Sequence, residues 1–242
     1  MKHTVYCICN LDIRKMANKS RKSQESTIQT VKNKDHYVLM ADMINSQSQS
    51  VKELKQLRSI VDKINNDFDL FSPLTITLGD EFQCITRSLF QSISIIFKIE
   101  EYIIVGKIPF KLRYALSYGK IDTKINSQIA HGMYGEALTH TREILEESKK
   151  SKRERIRLSL SDEKQEKILV DLLAVYQSLL DDWKLNDFEI VEHFYTSKDY
   201  KDVALALDKN RDQIWKREKN LKIREFFKLQ NSILSIASLS KV

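Results

Sequence analysis

The chain is poor in the residues that punctuate or staple a fold. Its 242 residues include 2 prolines, 5 glycines and 3 cysteines. Cys7, Cys9 and Cys84 are too few and too scattered for a disulfide framework, which points to a reducing, cytoplasmic setting. Cys7-x-Cys9 has no second ligand pair nearby and so lacks the pattern of a zinc site. No run of about 18 apolar residues occurs, so no membrane span is expected. The nearest approach, LFQSISIIFKIEEYIIV, is broken by Lys98, Glu100 and Glu101. The N-terminus has no continuous apolar stretch of the signal-peptide kind. All five glycines fall between 79 and 135, so a function needing close backbone approach is expected in that window.

What is present is charge and periodic apolar pattern. Hydrophobic residues make up 42% and charged residues 30%, the balance of a globular protein that folds in water. The length suits one large domain, or a medium domain plus a small one. The net charge of +7 favours an anionic partner, although a Lys-rich surface with no specific role has the same composition. Residues 1–34 carry eight Lys/Arg against Asp12 and Glu25, with many Ser, Gln, Asn and Thr, and read as a basic disordered arm.

Order is expected to begin at HYVLMADMI, a short apolar run suited to a buried strand. After NSQSQS, Val51, Leu54, Leu57, Val61, Ile64 and Phe68 recur at helical spacing. LTITL and FQCIT flank Gly79-Asp80-Glu81 as a hairpin. A second helix is expected over 88–103, and a strand at KLRYALSYG. The order strand, helix, strand, strand, helix, strand is the ferredoxin-like βαββαβ arrangement, with both helices on one face of an antiparallel sheet. A loop over 120–132, a helix over 133–149, a strand at RIRLSL and a helix over 162–182 follow. The fold class is therefore α+β over 35–183, with a small all-α domain over 186–242.

In that arrangement the first and third strands are central and antiparallel. The end of the first, at Asp42, then lies beside the hairpin tip, at Asp80. Two carboxylates meeting there could hold one or two Mg²⁺ ions that also touch a nucleotide's phosphates. Aspartate is equally common at strand ends and turns for local hydrogen-bonding reasons.

The segments VLMADMINSQ, TITLGDEFQ, LRYALSYGKID and GMYGEALTHTREILEE occur in this order. They resemble successive motifs of the class III nucleotidyl cyclases and, more loosely, of the GGDEF diguanylate cyclases. The whole arrangement resembles the SatD family over residues 35–235, bacterial proteins with a cyclase-like N-terminal domain and a C-terminal helix-turn-helix. The resemblance implies metal binding by Asp42 and Asp80, a phosphate cradle at Met43, Ile44, Asn45 and Ser46, and a catalytic, phosphate-neutralising Arg142. It also implies a homodimer. The chain departs from the cyclase pattern in three places. Leu138, four residues before Arg142, stands where cyclases carry Asn; a register shifted by one puts Thr139 there, but then Glu143 replaces the Arg. Ile76 stands where a charged residue reads the purine, and Ala115 replaces a glycine. Metal-binding positions are kept while base-reading and transition-state positions are lost, and phosphoryl transfer needs both.

The segment YKDVALALDKNRDQIWKREKNLKI resembles a helix-turn-helix. Residues 209–228 hold eight basic and three acidic side chains, a net of +5, the charge that phosphate contacts need. Arg211, Gln213, Lys216 and Arg217 are the expected DNA-facing residues. A packing module with a solvated basic face has the same composition, and Trp215 with Phe226-Phe227 would suit a partner surface. Three readings follow. The first is a regulatory protein with a catalytically degenerate, nucleotide- and Mg²⁺-binding domain and a DNA-binding tail. The second is an active Mg²⁺-dependent nucleotidyl cyclase. The third is a protein-interaction module with neither activity.

Overall fold

The computed structural model describes residues 35–45, 50–150 and 154–240. The basic arm expected over 1–34 lies outside them. The described residues belong to one compact unit.

A mixed five-stranded sheet carries the molecule. Its strands are β1 (Asp35–Met43), β2 (Ser72–Leu78), β3 (Glu81–Thr86), β4 (Leu112–Lys120) and β5 (Ile156–Ser159), in the spatial order β2-β3-β1-β4-β5. β1 pairs antiparallel with both β3 and β4, β2 pairs antiparallel with β3, and β5 runs parallel to β4. The described helices are α1 (Val51–Asp67), α2 (Leu89–Val105), α3 (Glu136–Lys150), α4 (Glu163–Asp182), α5 (Phe188–Thr196), α6 (Tyr200–Ala206), α7 (Arg211–Asn220) and α8 (Ile223–Ala237).

The near-continuous apolar run of β1 follows from its central place. Tyr37, Leu39, Ala41 and Met43 enter the core on one face, while Val38 and Met40 enter a second core on the other. Side chains alternate across a strand, so a strand covered on both faces has no polar side to show. The first face is covered by α1 and α2. The second is covered by α3 and the 121–133 loop, through Ile121, Ala130, Met133, Ala137, Leu138, Ile144 and Leu145.

Local chemistry sets the element ends. Ser50 and Glu53 form a reciprocal capping box at the start of α1. Val51, expected on the inner face of this helix, is exposed at its first turn. Gly79 opens the β2–β3 turn at φ +64°, the sign a two-residue hairpin needs at that position. A side chain at Gly135 would meet the Lys120 carbonyl and the Ile121 Cα at 2.6 Å, so α3 starts against the end of β4 only with glycine there. The edge strand β2 is blunted by Asn65, which donates to the Leu74 carbonyl (2.9 Å) and accepts from its amide (2.7 Å).

The apolar run over 89–105 is α2, buried between the sheet and the C-terminal helices. No helix of the described residues is long and apolar enough to cross a membrane. Glu100, which interrupts the run, is buried and paired. Arg155, 5% exposed, donates from Nη1 to Glu100 Oε1 (2.8 Å) and to the Leu112 carbonyl (2.9 Å). Its Nε reaches Asp181 Oδ1 (3.0 Å), which also pairs with Lys111 (2.9 Å).

The four final helices join this same core. The turn Leu185–Asp187 connects α4 directly to α5. Phe226 of α8 is fully buried, stacked on Tyr176 of α4 (5.0 Å between ring centroids) and beside Trp183 (4.5 Å). The Trp183 indole donates to the Leu221 carbonyl (2.9 Å). Ile223, Phe226, Gln230, Ile233, Leu234 and Ala237 make the buried face of α8 at helical spacing.

Removing one partner of a buried ion pair strands the other without water. Arg155→Met is therefore expected to cost about 3–5 kcal/mol of unfolding free energy, measured by chemical denaturation. Adding Glu100→Gln should recover part of that loss.

Candidate functional site

The corner expected from the sequence exists as a meeting of strand ends. The β1–β4 register sets Asp42 opposite Arg113, and the β1–β3 register sets Ala41 opposite Phe82, so Glu81 comes next to Asp42. Asp42 is 4% exposed. Its Oδ2 faces Arg113 Nη1 at 3.2 Å and Lys149 Nζ at 3.8 Å. Glu81 takes Lys149 on Oε1 at 2.9 Å and Arg142 on Oε2 at 3.4 Å. Lys149 also meets Glu146 at 2.7 Å. Asp80 lies at the hairpin tip, near enough for its charge to act on Asp42.

Arg113, Lys149 and the role of Glu81 were not among the residues expected from the sequence. Two signals for them existed. Arg142, Glu146 and Lys149 are spaced i, i+4, i+7 and so share one face of α3. Arg113 is the second residue of a strand antiparallel to β1, which sets it across from the strand's far end. Glu81, the last residue of the Gly79-Asp80-Glu81 stretch, carries half of an ion-pair network. Arg142, expected to neutralise phosphate, sits at the rim of this network on Glu81.

The carboxylates of the corner are largely engaged by cations of the chain itself. Mg²⁺ demands octahedral oxygen ligation. Here Asp42 Oδ2 and both Glu81 oxygens already face three cationic side chains. Among the described residues, no group of three His, Cys, Asp or Glu side chains converges as a metal cage. Asp42 Oδ1 is the exception within the corner, a buried oxygen with no hydrogen-bond partner.

Two of the four positions expected to cradle phosphate, Met43 and Ile44, are engaged with β4 and the residue before it. The Met43 side chain is buried in the core and Met43 pairs with Leu112. The Ile44 amide donates to the Lys111 carbonyl (2.9 Å). Asn45 adopts φ +59° in the turn after β1, and Ser46 lies outside the described residues. Leu138 is buried in the second core, so its side chain serves packing.

In the tail, α6, the turn 207–210 and α7 form a short helix pair. Val203, Ala204 and Ile214 are buried at their junction, and Asn210 caps α7 by accepting from the Asp212 amide (2.8 Å). Arg211, Gln213 and Lys216 are exposed. Arg217, expected to face DNA, instead pairs with the buried Asp187. Its place one turn after Ile214 carries it towards the junction with the 185–187 turn. Arg224 likewise holds the buried Glu218 (2.6 Å). Trp215 is partly exposed, with the Lys219 ammonium 3.9 Å from its ring centroid.

Residues 36–233 match the SatD family model, described as SatD family. The chain belongs to the SatD family. Among solved structures, this SatD-family chain is similar to a bacterial light-regulated adenylyl cyclase. That match has 14% identity and a TM-score of 0.40, over 53% of this chain and 77% of that one. It is also similar to the guanylyl cyclase Cya2, at 11% identity and a TM-score of 0.34, over 48% of this chain and 71% of that one. No curated protein sequence matches it.

Burial pushes the Asp42 carboxyl up to about 6; Arg113 and Lys149 pull the other way, and Glu81 and Asp80 add to the rise. Burial also works against the Lys149 ammonium, but hydrogen bonds from it to Glu146 and Glu81 outweigh that and push it up to about 12. For Asp42 the folded state holds its proton more tightly than the unfolded chain does. The stability it contributes is present below about pH 4 and is lost as pH rises through about 6. Asp42→Asn should flatten the stability–pH curve between 4 and 6 by an amount on the order of 2 kcal/mol, read from denaturation midpoints across that range.

Proposed function

We propose that this SatD-family chain is a regulatory DNA-binding protein whose cyclase-like sheet no longer performs cyclisation. The observation that carries it is the α6–α7 pair. It buries Val203, Ala204 and Ile214 while Arg211, Gln213 and Lys216 stand exposed around the start of the second helix. A helix-turn-helix presents the start of its second helix to base edges, with basic residues for phosphates. In this reading Arg211 and Lys216 contact phosphate, and Gln213 reaches a base edge. Arg217 acts indirectly, by fixing α7 to Asp187. The four strands β1–β4 with α1 and α2 are read as the ferredoxin-like part of the cyclase-like domain.

The ion-paired corner supports the loss of cyclisation. Metal-assisted phosphoryl transfer needs carboxylates free to take a dication and groups that stabilise the developing charge. Asp42 and Glu81 are neutralised within the chain, and Leu138 and Ile76 offer no polar atoms to a ribose or a base. A second reading, a retained nucleotide site, is favoured by the orphaned Asp42 Oδ1 and the half-exposed Arg142 and Lys149. It expects a melting-temperature rise with ATP or GTP that Arg142→Ala abolishes.

DNA binding should be salt-dependent. The double variant Arg211→Ala/Lys216→Ala should weaken it and lower the slope of log K against log salt by about 2. Fluorescence anisotropy across a salt series measures both quantities, and no binding at low salt refutes the proposal. Purified protein with ATP or GTP and Mg²⁺ or Mn²⁺ should yield no cyclic nucleotide by chromatography.

A further inference from the structure

Helix α4 carries an apolar stripe that the fold covers only in part. Its inner face, Leu169, Leu173, Tyr176 and Leu180, is buried. A second row, Ile168, Leu172, Val175 and Leu179, runs beside it. Ile168 is 48% and Val175 is 53% exposed, and Leu172 and Leu179 are half-buried. The intervals are four, three and four residues, so the row stays on one side of the helix, as the seam of a helix pair does.

We propose that this stripe is a two-fold interface between two copies of the chain, with α4 antiparallel to α4 of the partner. The spacing reads the same in both directions about a centre between Leu172 and Val175. An antiparallel copy therefore sets Ile168 against the partner's Leu179, and Leu172 against the partner's Val175. Such self-complementarity is what an isologous contact requires. The flanking charges select the same orientation. Lys164 and Asp182 are both exposed and stand 18 residues apart. That is five helical turns, so they lie on one flank of the stripe. Antiparallel pairing keeps this flank on one side of the seam in both copies and brings each Lys164 to the partner's Asp182, whereas parallel pairing puts the two copies of the flank on opposite sides and forms no such pair.

The interface also bears on the tail. Gln165, in the first turn of α4, donates to the Ile236 carbonyl (2.9 Å) and meets Ser240 (2.7 Å), which holds the end of α8 against α4. A two-fold at α4 therefore relates two copies of the α7–α8 segment. On the DNA-binding reading, the site should be an inverted repeat. The dimer itself does not rest on that reading.

The test is the solution mass of the full chain by sedimentation velocity over a concentration series. A dimer is expected. Ile168→Glu and Val175→Glu should each raise the dimer dissociation constant by about 30-fold or more. Both positions are half-exposed, and circular dichroism checks that each variant folds. Lys164→Glu and Asp182→Lys should each weaken the dimer, and combining them should restore it. A monomer at the highest soluble concentration overturns the proposal. So does a dimer indifferent to the stripe substitutions, or a charge swap that fails to rescue. A dimer that binds no DNA leaves the interface standing and removes the DNA reading. A monomer that binds DNA does the reverse.

Discussion

The interaction on which the rest of this structure depends is the burial of Arg155 among Glu100, Asp181 and the Leu112 carbonyl. One guanidinium spans α2, α4 and the start of β4. Its own backbone also joins the network, accepting from the Tyr114 amide (2.6 Å) and donating to Gln177 (2.8 Å). Five donors in a fixed plane suit such a junction better than a lysine would. The desolvation cost of buried charge makes the arrangement poor value as a source of stability. What it does is define position. With Arg155 in place, β5 lies beside β4, and α4 lies where Tyr176 meets Phe226 and the tail can pack.

The sheet corner follows the same logic at lower burial. Strand ends of opposite direction bring Asp42, Asp80 and Glu81 together, and concentrated negative charge requires an answer. Here α3 answers with Arg142 and Lys149, and β4 with Arg113. The cations come from elements that already cover the sheet, so neutralisation and packing are one event. Leu138 belongs to that event, since the turn of α3 that carries it seals the second core.

The tail shows how apolar surface decides what is joined to what. Phe226, Ile233 and Leu234 are buried against the body, so α8 is bound into the core rather than tethered to it. Two of the tail's charged pairs, Arg217–Asp187 and Arg224–Glu218, each bury one carboxylate and fix α7 between its neighbours. Its positive charge is thereby divided. Part of it locks helices together, and the part at Arg211 and Lys216 faces solvent.

Local pattern was enough to determine the elements. The period of α1 and α2, the glycine of the hairpin turn and the doubly apolar β1 were all legible, because each depends on neighbours within a few residues. The pairing of β1 with β3, and hence the meeting of Asp42 with the hairpin tip, was legible from element order. Beyond that corner, the charge partners were decided by tertiary structure. Nothing local distinguishes Arg155, fully desolvated, from Arg157 two residues on, or Arg217 on Asp187 from Lys216 in water. Charged residues carry no periodicity that marks burial. Their roles are set by which opposite charge the packing of distant segments brings within about 4 Å, where low dielectric makes the contact decisive.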